Sequence, residues 1–154
     1  MGALLVVNMR GTLNIPHPIK RTLRQLHLST RFRATVLPDN PITRGMLQKV
    51  KNYVAWSEAD LDVVTRLLEE RGRKSGRARL AIEDMESQGF KTLEDLSKAI
   101  VKGEATISKL VDIKPSFALS PPRGGFKRST RRMYSQGGIL GKNPDLAKLV
   151  EIMV

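Results

Sequence analysis

The run ALLVV at residues 3–7 constrains this chain most, because it is short, continuously apolar and rich in β-branched side chains. Such a run reads as a buried strand. The loop RGTLNIPHP follows, with Pro16 and Pro18 as breakers. From Pro18 to about Leu28 the spacing predicts a helix, with Pro18 suited to its first turn. Ile19, Leu23 and Leu26 form its apolar stripe, and Lys20, Arg21 and Arg24 lie off it. RFRATVL, residues 31–37, alternates Arg31 and Arg33 with Phe32 and Ala34, as a half-buried strand does. PDNP turns the chain, and Thr43 is expected to cap a second helix with Met46, Leu47 and Val50 on one face. NYVAW, residues 52–56, reads as a third strand. The order β-α-β-α-β fits within residues 1–58, with two helices covering one face of a small sheet. The fold class expected is α+β.

Beyond that point the pattern changes. Ser57 precedes the helical segment EADLDVVTRLLEERG, whose face is Leu61, Val64, Leu67 and Leu68, and Gly72 stops it. IEDMESQG and TLEDLSKAIVKG read as two further helices, each ended by glycine. A last helix opens in NPDLAKLVEIMV, with Asn143 as its cap and Pro144 in its first turn. Between residues 103 and 142 no helix is predicted, and a long irregular stretch in a small protein is functional or disordered. The expected organisation is a core over 1–58, a helical extension over 59–114, and a basic loop with a C-terminal helix over 115–154.

Charge narrows the partners. The net charge is +12, which points to a polyanion, nucleic acid before an anionic membrane. It is unevenly placed. Residues 1–58 carry nine Lys and Arg against two acids, residues 59–114 eleven against eleven, and residues 115–154 seven against two. Basic ends thus flank a neutral middle, which a merely solubilising surface would not need. The absence of cysteine excludes disulfides and Cys-ligated metal and is compatible with a reducing compartment. MGALLVVNMR lacks the basic start of a signal peptide, and its apolar run is too short for one. No run approaches the roughly 18–20 apolar residues of a membrane span.

Catalytic patterns fail on inspection. His17 and His27 have no metal-ligand spacing, and the acids of IEDME and LEDL suit solvated faces or helix N-termini. GGILGKN, residues 137–143, misses a P-loop twice: three residues instead of four separate Gly137 from Gly141, and Asn143 replaces the magnesium-binding Ser or Thr. RGGF touches an RNA-recognition signature, but the glycine-aromatic pattern breaks after Phe126. No catalytic residue and no cofactor is expected.

Binding accounts for the same residues better. SPPRGGFKRSTRRMY, residues 120–134, sets Arg123, Lys127, Arg128, Arg131 and Arg132 around Gly124 and Gly125 without a carboxylate. Arginine offers a planar fork that fits phosphate oxygens, and lysine a compact charge. Glycines let the backbone approach sugar and phosphate closely. Phe126 and Tyr134 are candidates to stack on an unpaired base. On its own the segment repels itself and has little to bury, so it is expected to be mobile when free and ordered when bound. Further candidates are Lys20, Arg21 and Arg24 along one helical face, and Arg73, Lys74, Arg77 and Arg79 in a second cationic loop. Arg44 beside Gly45, at a helix start, combines its charge with free backbone N–H groups. Trp56 is read as core or rim packing.

The stretch VNMRGTLNIPHPIKRTLRQLHLSTRFRATVLPDNPITRGMLQKVKNYVAW closely resembles the body of the ribosomal large-subunit protein family L-thirty, called L-seven in eukaryotes. SPPRGGFKRST, then GGILGKN and an amphipathic helix, is similar to the tail of its archaeal and eukaryotic branch, whereas bacterial members end soon after the third strand. Without the long basic N-terminal extension of eukaryotic members, the chain looks archaeal. The resemblance implies a three-stranded antiparallel sheet with helices on one face, similar to a ferredoxin-like fold. It implies a cytoplasmic structural role, as a monomer within the particle, holding large-subunit ribosomal RNA near its 5S RNA junction beside neighbouring ribosomal proteins. Arg10 and Gly11 match the cation where the family's first strand opens into a loop. The alternatives are an RNA-binding assembly or modification factor on a ferredoxin-like fold, which would need a clustered acid, base or cofactor loop, and a DNA-compaction protein.

Overall fold

The computed structural model describes residues 2–154. Strand β1 (Ala3–Asn8) is buried at every position. Its side chains alternate between the faces of the sheet, so apolar residues at both odd and even positions require cover on both sides. It lies between β2 (Arg33–Pro38) and β3 (Val54–Glu58), antiparallel to each, with Leu5 opposite Val36 on one side and Ser57 on the other.

That antiparallel trio is the centre of a wider sheet. The expectation of three strands is corrected to six, in the order β4 (Phe117–Ala118), β2, β1, β3, β6 (Gly138–Lys142), β5 (Ser129–Met133). Strand β4 pairs antiparallel with β2, and β6 pairs parallel with β3. Strand β5 lies parallel beside β6 with a shifted register. All three come from the stretch expected to be irregular. Their sequences explain the omission: FA is too short to alternate, STRRM has one apolar residue, and GILGK is interrupted by glycine.

Helices cover both faces, where cover on one was expected. Helices α1 (His17–Gln25) and α2 (Pro41–Lys49) set Leu23 and Leu47, with Leu26, Leu28 and Val50 beside them, over Leu4, Val6 and Val54. On the opposite face α3 (Leu61–Arg71), α5 (Leu93–Lys102) and α6 (Leu146–Met153) bury Val64, Leu67, Leu96, Ile100, Val150 and Met153. These enclose Leu5, Val7, Ala34, Val36 and Ala55. A single turn-and-a-half, α4 (Ile82–Glu86), packs Met85 into the same layer.

Helix ends shift by a few residues for local reasons. Asn40, not Thr43, caps α2: its side-chain oxygen accepts the Thr43 N–H at 2.7 Å, and Pro41 occupies the first turn. Helix α1 stops before Leu28 because His27 turns left-handed (φ 60°) and the Leu28 N–H reaches back to the Leu23 carbonyl at 2.9 Å. Asn143 lies before α6 rather than capping it, and its buried amide ties the Asp145 N–H to the Ile139 carbonyl.

Candidate nucleic-acid interface

At the carboxyl end of β1 the chain opens into Arg10 and Gly11. Asn8, fully buried, accepts the N–H groups of both on its Oδ1, at 3.1 and 2.9 Å, and donates Nδ2 to the Leu28 carbonyl at 2.8 Å. One amide thereby fixes the loop and the end of α1 together. Gly11 is left-handed (φ 78°), a conformation that favours glycine. Arg10 lies over the Tyr53 ring, 5.3 Å from its centroid. Beside this loop Arg31 donates Nε to the Met9 carbonyl at 3.2 Å and covers the Phe32 ring at 4.6 Å. Both arginines are oriented by aromatic faces and carbonyls, without a carboxylate to cancel their charge.

The tail docks at this same end. The Phe32 and Phe126 rings stack with centroids 5.8 Å apart, and the Leu119 N–H donates to the Phe32 carbonyl at 2.9 Å. Gly124 and Gly125 are consecutive left-handed residues (φ 80° and 77°) in the exposed turn that carries Arg123 and Lys127. Arg128 lies over the Tyr134 ring at 4.7 Å, and the Tyr134 hydroxyl donates to Asp145 Oδ2 at 2.9 Å. One expectation changes here. The segment does have something to bury, since Phe126 and Met133 pack on the core. Phe126 has one face taken by Phe32 and Tyr134 one taken by Arg128, which leaves at most the other face of each ring for a base. Arg131 and Arg132 stand exposed on β5, the outermost strand. Trp56 is half-buried against the α1–α2 layer, a packing position as expected.

The second cationic loop is a small hairpin. Arg73 and Arg79 bridge, Lys74 bridges to Ile113, and the Lys114 N–H donates to the Arg73 carbonyl at 2.9 Å. Lys74 contacts both carboxylate oxygens of Asp84 at 3.2 Å. The Ala81 N–H, and then Lys74, hold the Asp84 carboxyl below its usual range. Arg77 and Arg79 are exposed. Arg33, Arg71, Arg73, Arg77 and Lys114 surround one cavity of about 320 Å³.

The remaining candidates lie elsewhere. Lys20, Arg21 and Arg24 stand on the outward side of α1, opposite its buried Thr22 and Leu23, on the layer away from the tail. Arg44 sits at the other end of the sheet, where Ala3 faces Pro38. Its guanidinium forks onto Asp39 at 2.6 and 2.7 Å, and its N–H donates to the Asn40 carbonyl at 3.0 Å. The expectation of free N–H groups there is corrected, because α2 begins three residues earlier at Pro41. The hydrogen bond from the Arg44 guanidinium holds the Asp39 carboxyl below its usual range.

Asn8, Arg31, Arg33, Arg71 and Lys114 were not singled out from the sequence. A polar residue closing an otherwise apolar run was the available signal for Asn8; the others become neighbours only through the sheet. Among the described residues no cluster of His, Cys, Asp or Glu is suited to a metal, and no helix is long and apolar enough to cross a membrane.

A mixed sheet layered by helices, with arginines propped outward on rings and carbonyls, defines a cationic α+β protein whose chemistry suits polyanions. Comparison makes this specific. Residues 4–54 match the family model of ribosomal protein L30p/L7e. Large ribosomal subunit protein uL30 of Cenarchaeum symbiosum is 45% identical over 99% of both chains. The proteins of that name from Nitrosopumilus maritimus and Archaeoglobus fulgidus are 41% identical over 99% of this chain and 98% of theirs, and 46% over 87% and 88%. The chain belongs to the L30p/L7e family of ribosomal proteins.

Proposed function

We propose that the chain is a structural constituent of the large ribosomal subunit that binds and braces ribosomal RNA. The observation carrying this reading is the end of the sheet where Arg10, Arg31 and the Arg123–Lys127 turn converge around the Asn8 amide and the Phe32–Phe126 stack. Their charges are held outward and, among the described residues, form no ion pair. Phosphate contacts of this kind position a protein on RNA, and displaced counterions make the affinity salt-dependent.

Arg10, Gly11, Arg123, Gly124, Gly125, Lys127 and Arg128 form the main contact in this proposal. Arg131 and Arg132 extend it along β5, and Arg73, Arg77 and Arg79 supply a second contact, with Lys74 bracing that loop through Asp84. Lys20, Arg21 and Arg24 track a separate backbone segment, and Arg44 is a peripheral contact tempered by Asp39. Residues 1–58 act as the core, related to the ferredoxin-like arrangement, 59–114 as the extension, and 115–154 as the principal RNA-binding part. The site lies by the 5S RNA junction, with ribosomal proteins as neighbours. Family membership leaves an assembly or modification factor without support.

Replacing Arg123 and Lys127 by alanine flattens the plot of log affinity for large-subunit RNA against log salt by about 1–2 units. An unchanged slope removes the turn from the interface.

A further inference from the structure

Beside β4, five cations share one cavity. Arg33 comes from β2, Arg71 from the end of α3, Arg73 and Arg77 from the hairpin that follows, and Lys114 from the segment leading to β4. Only the small residues Ser116 and Ala118 complete the lining of about 320 Å³, so no carboxylate faces it. Like charges gathered around such a space raise one another's energy, and the chain holds them there with specific contacts. Arg71 donates to the Val154 carbonyl at 2.7 Å and to Ser120 Oγ at 3.0 Å. Arg73 donates to the Gly72 carbonyl at 2.8 Å, and Arg33 donates Nε to Thr30 Oγ1 at 3.2 Å. Arg33 and Arg73 are thus anchored by neutral acceptors that fix the guanidinium and leave its charge intact, and Arg71 is fixed by a hydroxyl and the backbone oxygen of Val154, the last residue. Arg77, left-handed at φ 72°, and Lys114 make no side-chain hydrogen bond or ion pair among the described residues. The hairpin is sewn down by the Ser75 N–H to Asp112 carbonyl bond at 2.9 Å and the Lys114 N–H to Arg73 carbonyl bond at 2.9 Å.

Three anchored forks and two unengaged cations form a preorganised receptor for concentrated negative charge. One phosphodiester carries a single charge and leaves most of this potential unanswered, while the volume holds roughly ten waters. We propose that the cavity takes two or more closely spaced phosphates, as where an RNA strand folds back on itself. The assignment to RNA rests on the function proposed above; the chemistry of clustered phosphates does not. Of the five cations only Arg33 lies within the matched residues 4–54, so the extension completes the site.

The test uses the full chain carrying Arg77→Asn and Lys114→Gln together. Asparagine tolerates the left-handed backbone and glutamine keeps a polar stem, so the fold survives, as an unchanged melting curve verifies. Calorimetry with inorganic tripolyphosphate, at matched ionic strength, is expected to give one saturable site, at least tenfold tighter than orthophosphate and at least tenfold weaker in the double variant. Absence of saturation, or equal binding by both proteins, overturns the site. With large-subunit RNA, the double variant should flatten the log–log salt slope by about 1.4 units, the value for two single-strand contacts. An unchanged slope alongside lost tripolyphosphate binding overturns RNA as the source and assigns the pocket to a free polyphosphate. Arg123→Ala with Lys127→Ala leaves tripolyphosphate binding intact, so failure of the tail contact and failure of this pocket are read separately.

Discussion

Asn8 closes an otherwise apolar strand with a buried amide, and all three of its hydrogen bonds go to backbone groups of the loops around it. Asn8→Ala strips a partner from two N–H groups and a carbonyl, and each buried polar group left unpaired costs about 1–3 kcal/mol. Some of these groups reach water as the loop relaxes, so the expected loss is ~2–3 kcal/mol in urea unfolding, with weaker RNA binding as Arg10 loses its fixed base. An unchanged midpoint would mean that the amide holds nothing. The Asp39–Arg44 fork makes a separate, pH-dependent contribution. The Arg44 hydrogen bond lowers the folded-state pKa of Asp39, so its stabilisation is present above the unfolded value of about 3.9 and is lost as pH falls through the folded value. Asp39→Asn should therefore lower the melting temperature slightly at neutral pH, the pair being exposed on the arginine side, and converge with wild type in strong acid. Parallel curves from pH 2 to 7 would exclude the linkage.

Among the elements, the pair β5–β6 depends on Gly138. A Cβ there would overlap the Arg132 carbonyl, backbone that cannot swing aside. Gly138→Ala is expected to cost at least ~2 kcal/mol, above the ~1 kcal/mol centre for point substitutions, and to speed hydrogen exchange across 129–142. Gly124→Ala, where the added atom meets open space, is the control, with a loss of ~1–2 kcal/mol for its left-handed backbone alone. Equal effects would show that close strand approach is not what Gly138 provides. The same residues mark where the sequence stops being legible. β1, α1, α3 and α5 announce themselves through continuous runs or helical stripes, because burial imposes those periods directly. GILGK does not: Gly138 answers to the Arg132 backbone and the left-handed Gly141 to the Met133 side chain, neighbours visible only after folding. The site divides likewise. Arg10, Arg123 and Lys127 stand out as cations beside glycine in loops, whereas Arg33 and Lys114 are ordinary residues until β2 and β4 pair and bring them around one cavity.

Across the whole molecule, the partition of charge along the chain is undone in space. The Phe32–Phe126 stack brings the basic tail to the basic loop of the first strand, and the electroneutral middle contributes its hairpin arginines to a pocket beside Arg33. The same long-range packing governs stability. Leu5, Val7 and Val36, with Ala34 and Ala55, form one face of the central trio, and their cover comes from α3, α5 and α6, all beyond residue 58. Exposing Leu5, Val7 and Val36 forfeits about 1.5–3 kcal/mol each. A 58-residue unit has only ~3–9 kcal/mol of stability in total, and chains of that size are marginal already. The β-α-β-α-β segment, expressed alone as residues 1–58, should therefore unfold without a cooperative transition and bind a hydrophobic dye, while the full chain melts sharply and does not. A sigmoidal melt of the fragment with no dye binding would show that α1 and α2 suffice to hold the trio, and that the second helical layer serves the RNA-facing surface alone.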